Sequence, residues 1–180
     1  MSEMNVIKEA LENNPNLPVD LKNRLYSLIS ELKKKIKEVD INKLGVKLAT
    51  LKIAKISKYE RREIYYYDVF QNIVFIDAYR TKGNYDIDLI LTKALLEMAT
   101  STRTFTGFNS DERLRALNLA YTEILATYVV GNEGDSDLEE EVYIANLLSQ
   151  IVGSDTMYNS YFTNNGEPII KAMLDVEVGL

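Results

Sequence analysis

Lys93 and Glu97 stand four residues apart in an otherwise apolar run made by Ile87, Leu89, Ile90, Leu91, Ala94, Leu95, Leu96, Met98 and Ala99. On a helix that spacing puts both charges on one face, and charge in such surroundings is costly to bury unless it is paired. Glu123, in a second apolar helical pattern, completes the set. Glu97 and Glu123 could hold a hard cation, but magnesium and calcium sites take more oxygen ligands and the Lys93 ammonium would repel the ion. Absences narrow the chemistry further, since the 180-residue chain contains no His and no Cys. Ser-His and Cys-His nucleophile pairs, zinc fingers, imidazole-bound metals and disulfides are thereby excluded.

Thr106, Gly107, Phe108 and the scattered glycines make neither a P-loop nor a GxGxxG turn. The acidic stretch from Gly131 to Glu141 departs from a calcium loop, because counting from Asn132 puts Gly134 in the third ligand place. Asp137 and Glu140 read instead as an N-cap and its capping partner, opening a helix to about Val152. No cofactor is called for.

The elements that must position these residues follow from hydrophobic period and turn chemistry. Helices are predicted near 3–13, from Val19 to Val39, and as a short turn near 41–48. Three strands follow, at Leu51 to Ile56, Tyr65 to Phe70 and Asn72 to Asp77, rich in β-branched and aromatic residues. After a turn at Lys82, Gly83 and Asn84 the pattern is helical to the end. A helix from Asp86 to Ser101 is apolar almost all round and should be central. The next runs from Ser110 or Asp111 to Val130, with Gly131 as its left-handed terminator, and two short helices near 154–162 and 166–175 close the chain.

The fold class expected is α+β and predominantly α-helical: N-terminal helices over 1–48, a small antiparallel sheet over 49–80, and a helical core over 86–175, all in one domain. Charge is uneven: residues 1–62 hold 14 Lys/Arg against 8 Asp/Glu, and residues 63–180 hold 7 against 19. The basic run Lys33, Lys34, Lys35, Lys37 lies on an amphipathic helix and reads as a solvated face. With a net charge of −6, nucleic acid is not an expected partner. No apolar run is long enough to span a bilayer, and residues 1–12 lack a signal-peptide pattern; the expected compartment is cytoplasmic, or a virion if the protein is phage-encoded.

Strand, turn, apolar helix and second long helix is the order in which zincin metallopeptidases build their site, with HExxH on the first helix and, in gluzincins, a Glu ligand from an NExxx(D/E) segment on the next. Most of the chain resembles that arrangement. It is similar to a group of small bacterial and phage proteins with segments HELLHMAS, Gly-Phe and NEGYTE. The matching text is Lys93-Ala94-Leu95-Leu96-Glu97-Met98-Ala99-Thr100, then Gly107-Phe108, then Asn118-Leu119-Ala120-Tyr121-Thr122-Glu123, with an aromatic-Phe pair at Tyr161-Phe162. Glu97 and Leu119 lie 22 residues apart, near the family spacing.

Against the family pattern, Lys93 stands at the first His ligand, Ala94 at the catalytic Glu, Glu97 at the second His and Leu119 at the Glu ligand. Glu123 retains an acidic position behind the ligands. The resemblance therefore implies the scaffold without its reaction, a pseudo-metallopeptidase. A non-catalytic binding or structural protein is expected, with a protein or peptide partner or a second copy of itself and no membrane association. Asn72, Ile73, Val74, Phe75, Ile76 and Asp77 are the expected edge strand, since such a groove takes extended peptides by backbone pairing. The alternative is a phage or mobile-element assembly component, and an enzyme using a carboxylate-only metal site ranks behind both.

Overall fold

The computed structural model describes residues 3–56, 64–77, 86–108, 112–132, 134 and 136–178. Three helices come first: α1 (Glu3–Asn13), α2 (Val19–Lys35) and α3 (Ile41–Leu48). Pro18 precedes α2, where its missing N–H costs nothing. Residues Leu25, Ile29 and Leu32 of α2 are buried. The helix stops at Lys35 instead of continuing to Val39. Ile36 turns extended, and Asp40 then caps α3 by accepting from Lys43 N at 3.0 Å. The break buries both Ile36 and Val39.

Two of the lysines read as solvated hold backbone. Lys33 Nζ donates to the carbonyls of Lys37 and Val39 at 2.9 and 3.1 Å. Lys35 Nζ donates to Tyr128 O and Val129 O at 3.1 and 2.9 Å, ending a distant helix.

Strands β1 (Lys52–Ile56), β2 (Tyr65–Asp68) and β3 (Ile73–Asp77) form one sheet in the order β1-β3-β2. Two expectations are corrected here. The sheet is mixed, not antiparallel: β2 runs antiparallel to β3, with Tyr66 opposite Phe75, while β1 runs parallel to it, with Ile53 opposite Val74. The segment 72–77 is also not an edge, because β3 is the central strand. Asn72 is the physical reason. It adopts a left-handed conformation (φ 55°) in the turn that precedes β3. There its amide donates to Lys47 O at 2.7 Å and Thr50 Oγ1 at 2.9 Å, and its own carbonyl accepts from Lys52 N. This ties the β2–β3 turn to the corner between α3 and β1, so β3 is laid beside β1.

α4 (Ile87–Thr100) follows, capped by Asp86, whose side chain accepts from Asp88 N at 2.8 Å. Every residue from Leu89 to Thr100 is buried, including Leu95 and Leu96, with α2, α3, β2 and two later helices, α5 (Arg115–Val130) and α7 (Ser154–Thr163), around the helix. The expected central helix is therefore present.

A 3₁₀ turn (Glu112–Leu114) leads into α5 (Arg115–Val130), which ends at left-handed Gly131 as its sequence indicates. A second 3₁₀ turn (Ser136–Leu138) precedes α6 (Glu139–Val152), and α7 (Ser154–Thr163) and α8 (Glu167–Val178) finish the fold. Asp137 lies inside the 3₁₀ turn and is not the N-cap of α6. Leu138 occupies that place without a side-chain cap, and Glu139, Glu140 and Glu141 meet the helix dipole. The expected turn at 82–84 and the Ser110 or Asp111 helix start lie outside the described residues. The whole is an α+β fold, predominantly helical.

Candidate functional site

α4 and α5 pack side by side, and the charged residues singled out in the sequence meet between them. Lys93 Nζ donates to Glu123 Oε2 at 2.6 Å, and both residues are buried. The same ammonium lies 5.3 Å from the centre of the Tyr65 ring on β2, within cation–π range. Tyr65 also bridges to the third charge, Glu97. Its phenol is held well above the usual range, first by burial and then by the charge of Glu97, with a hydrogen bond to that carboxylate adding to the effect. Lys93, Glu97, Glu123 and Tyr65 therefore form one interior group.

Beside it the remaining fragments of the family-like pattern converge. Thr122 Oγ1 donates to Asn118 O and sits 2.8 Å from the Tyr161 hydroxyl. Asn118 Oδ1 accepts from Phe108 N at 2.8 Å, and Thr100 Oγ1 accepts from Gly107 N at 3.0 Å. Phe108, Tyr121 and Tyr161 form a three-ring cluster with centroids 5.2 to 5.4 Å apart. Burial is the first cause of the raised Tyr121 and Tyr161 phenols, Tyr121 being pushed up to about 12. Gly107 makes this closure sterically feasible. It sits at φ +51°, and a Cβ there would lie 2.6 Å from the Tyr161 ring and collide with Asn118 Oδ1. Gly134 plays the corresponding part over the ion pair, since a Cβ would come within 2.8 Å of Glu123 Oε1.

A cleft of about 410 Å³ opens next to this interior. Its walls include Tyr65, Tyr66 and Tyr67 of β2, Glu97, Thr106, Arg115 and Leu119. A second depression of about 370 Å³ shares Glu112, Arg115 and Leu119 with it and continues past Ala116 to Leu138 and Glu141. Of the positions the sequence singled out, Glu97 and Leu119 thus line the cleft, Lys93 and Glu123 form the buried pair behind it, and Ala94 is buried core.

The donor set does not suit a zinc ion. At the ligand positions of the resembled pattern Lys93 brings an ammonium already engaged by Glu123, and Leu119 brings no donor atom. Among the described residues no group of three or more Asp or Glu could hold a metal.

Tyr65 and Tyr67 are the site residues that sequence reasoning missed. Their alternation in a strand puts both on one face, which was the available signal. Arg115 and Glu112, at the mouth, carried no signal of their own.

The edges of the sheet are β1 and β2, and β2 is the one that borders the cleft. Asp77 N donates to Ile64 O at 3.0 Å, so in an antiparallel ladder Ile64, Tyr66 and Asp68 turn their backbone groups to β3 while Tyr65 and Tyr67 turn theirs away. Among the described residues no strand pairs with that outer side. Compared with known proteins, the chain matches no family model, no curated relative and no solved structure.

Proposed function

We propose that the chain is a non-catalytic binding protein on a metallopeptidase-like scaffold, and that the cleft beside β2 takes an extended segment of a partner protein or peptide. The observation that carries this reading is a β2 edge that no described strand pairs, running along a cleft with the Lys93–Glu123 pair buried behind it. An extended peptide adds main-chain hydrogen bonds at Tyr65 and Tyr67, and its alternate side chains enter the cleft. Leu119 gives an apolar wall to one of those side chains, while Glu97, Glu112 and Arg115 offer polar contacts at the floor and mouth. No step of hydrolysis is assigned, because Ala94 stands where the resembled pattern has its base and Lys93 where it has a ligand.

Selection of linear peptides from a displayed random library against the purified chain tests the reading. Binders are expected to shift the amide resonances of Tyr65 and Tyr67 and to lose affinity when N-methylated at alternate residues. They are expected to remain uncut whether or not zinc is added. Binders that map away from β2 would refute the site, and zinc-dependent cleavage would refute the non-catalytic assignment.

A further inference from the structure

The outward face of α6 is a second surface, separate from the β2 cleft. Ala145 is fully buried and Leu148 and Val152 are half-buried, which fixes the inward side of the helix. On the other side Tyr143, Ile144, Leu147 and Ile151 are all more than two-fifths exposed. Their spacings of three and four make one apolar stripe along the helix, about 12 Å long at 1.5 Å per residue. A contiguous apolar stripe of this kind marks an interaction surface more readily than scattered exposed residues do.

Charge decides what the stripe fits. The exposed charges on α6 are Glu139 and Glu140, at its N-terminal end. In the entire chain after Arg115, Lys171 is the only Lys or Arg, against eleven Asp and Glu. Pairing of two α6 helices from two copies would oppose Glu139 and Glu140 either to themselves or, antiparallel, to the end that carries exposed Asp155, with no cation on α6 in either case. A phosphate backbone or an anionic bilayer would meet the same repulsion. A complementary partner carries apolar side chains flanked by Lys or Arg.

We propose that the outward face of α6 docks an amphipathic helix of a partner protein, the partner's Leu-like ridge lying on Tyr143, Leu147 and Ile151 and its basic flank on Glu139 and Glu140. Helix-on-helix burial of two such stripes follows ordinary ridge-and-groove packing.

The test uses a fluorescein-labelled 18-residue Leu/Lys amphipathic helix as the probe, its Leu/Glu counterpart as the control, and the full chain in anisotropy titrations. The Lys helix is expected to bind and the Glu helix not to. Leu147→Ser with Ile151→Ser should weaken binding at least tenfold, and Glu139→Gln with Glu140→Gln severalfold. Melts by circular dichroism verify that the serine variant is folded; should it unfold, Tyr143→Ser supplies the same comparison at a 65% exposed position. Equal binding by the serine variant would reduce the effect to attraction for any acidic protein and overturn the proposal. Failure of the Lys helix to bind would overturn it too, as would a dimer in sedimentation that the serine variant converts to monomer, which would identify a second copy as the occupant.

Discussion

Lys93 Nζ lies 2.6 Å from Glu123 Oε2, and the two side chains are only 3% and 2% exposed. The pair joins α4 to α5 at the middle of the molecule, with the Tyr65 ring beneath the ammonium and Gly134 over the carboxylate. A cation and an anion brought this close inside a protein satisfy each other, but neither tolerates the loss of its partner. The group is thus a lock between two helices and the back wall of the cleft that Glu97 lines.

Gly107→Ala is expected to destabilise the fold by about 2 to 5 kcal/mol, combining the left-handed backbone cost with overpacking against Tyr161 and Asn118. Gly131→Ala, at φ +79° with open space around it, should cost only about 1 to 2 kcal/mol. Urea melts of both variants check the ordering. Equal losses would mean that Gly107 is needed for its backbone angle alone.

Removing the Tyr161 hydroxyl should be milder. Tyr161→Phe keeps the three-ring packing and leaves Thr122 Oγ1 its bond to Asn118 O, so a loss of about 1 kcal/mol is expected. In a double-mutant cycle with Thr122→Val the coupling should be about 0.5 to 1.5 kcal/mol. Additive losses would show that the 2.8 Å contact contributes nothing.

Several tyrosines should titrate late. Burial raises the phenols of Tyr65, Tyr67, Tyr121 and Tyr161, with Tyr121 near 12, whereas an unfolded phenol titrates near 10. The folded state then holds its phenolic protons to higher pH than the unfolded state does. This stabilisation is full below about pH 10 and is lost as pH rises through the folded values, by up to about 1.4 kcal/mol per pH unit for each such group. Absorbance at 295 nm should show part of the twelve-tyrosine signal appearing only with alkaline unfolding. One smooth transition centred at pH 10 with the fold intact would contradict the buried placement.

How much of this was legible in sequence differs by residue. α4 was readable because its apolar residues leave no solvent face, and Gly131 marked the end of α5 by its left-handed preference. The strand order was not. It depends on Asn72 reaching Lys47 and Thr50, a tie across more than twenty residues that no local period encodes. Asp137 illustrates a competing local solution, in which a 3₁₀ turn displaced the expected cap. At the site, Lys93 and Glu123 announced themselves as charges in apolar helices, whereas Tyr65 looked like ordinary strand aromatic until the packing put it against both Lys93 and Glu97.

The most direct test of the central claim, that the heart of the molecule is closed by a buried ammonium–carboxylate pair, is the denaturant melt of Lys93→Met beside that of Lys93→Met with Glu123→Leu. The single change takes the ammonium at 2.6 Å away from buried Glu123 and should cost about 3 to 5 kcal/mol, while the double change replaces both charges by apolar side chains and should recover most of that loss. A neutral single variant, or a double variant no more stable than the single, would contradict the account.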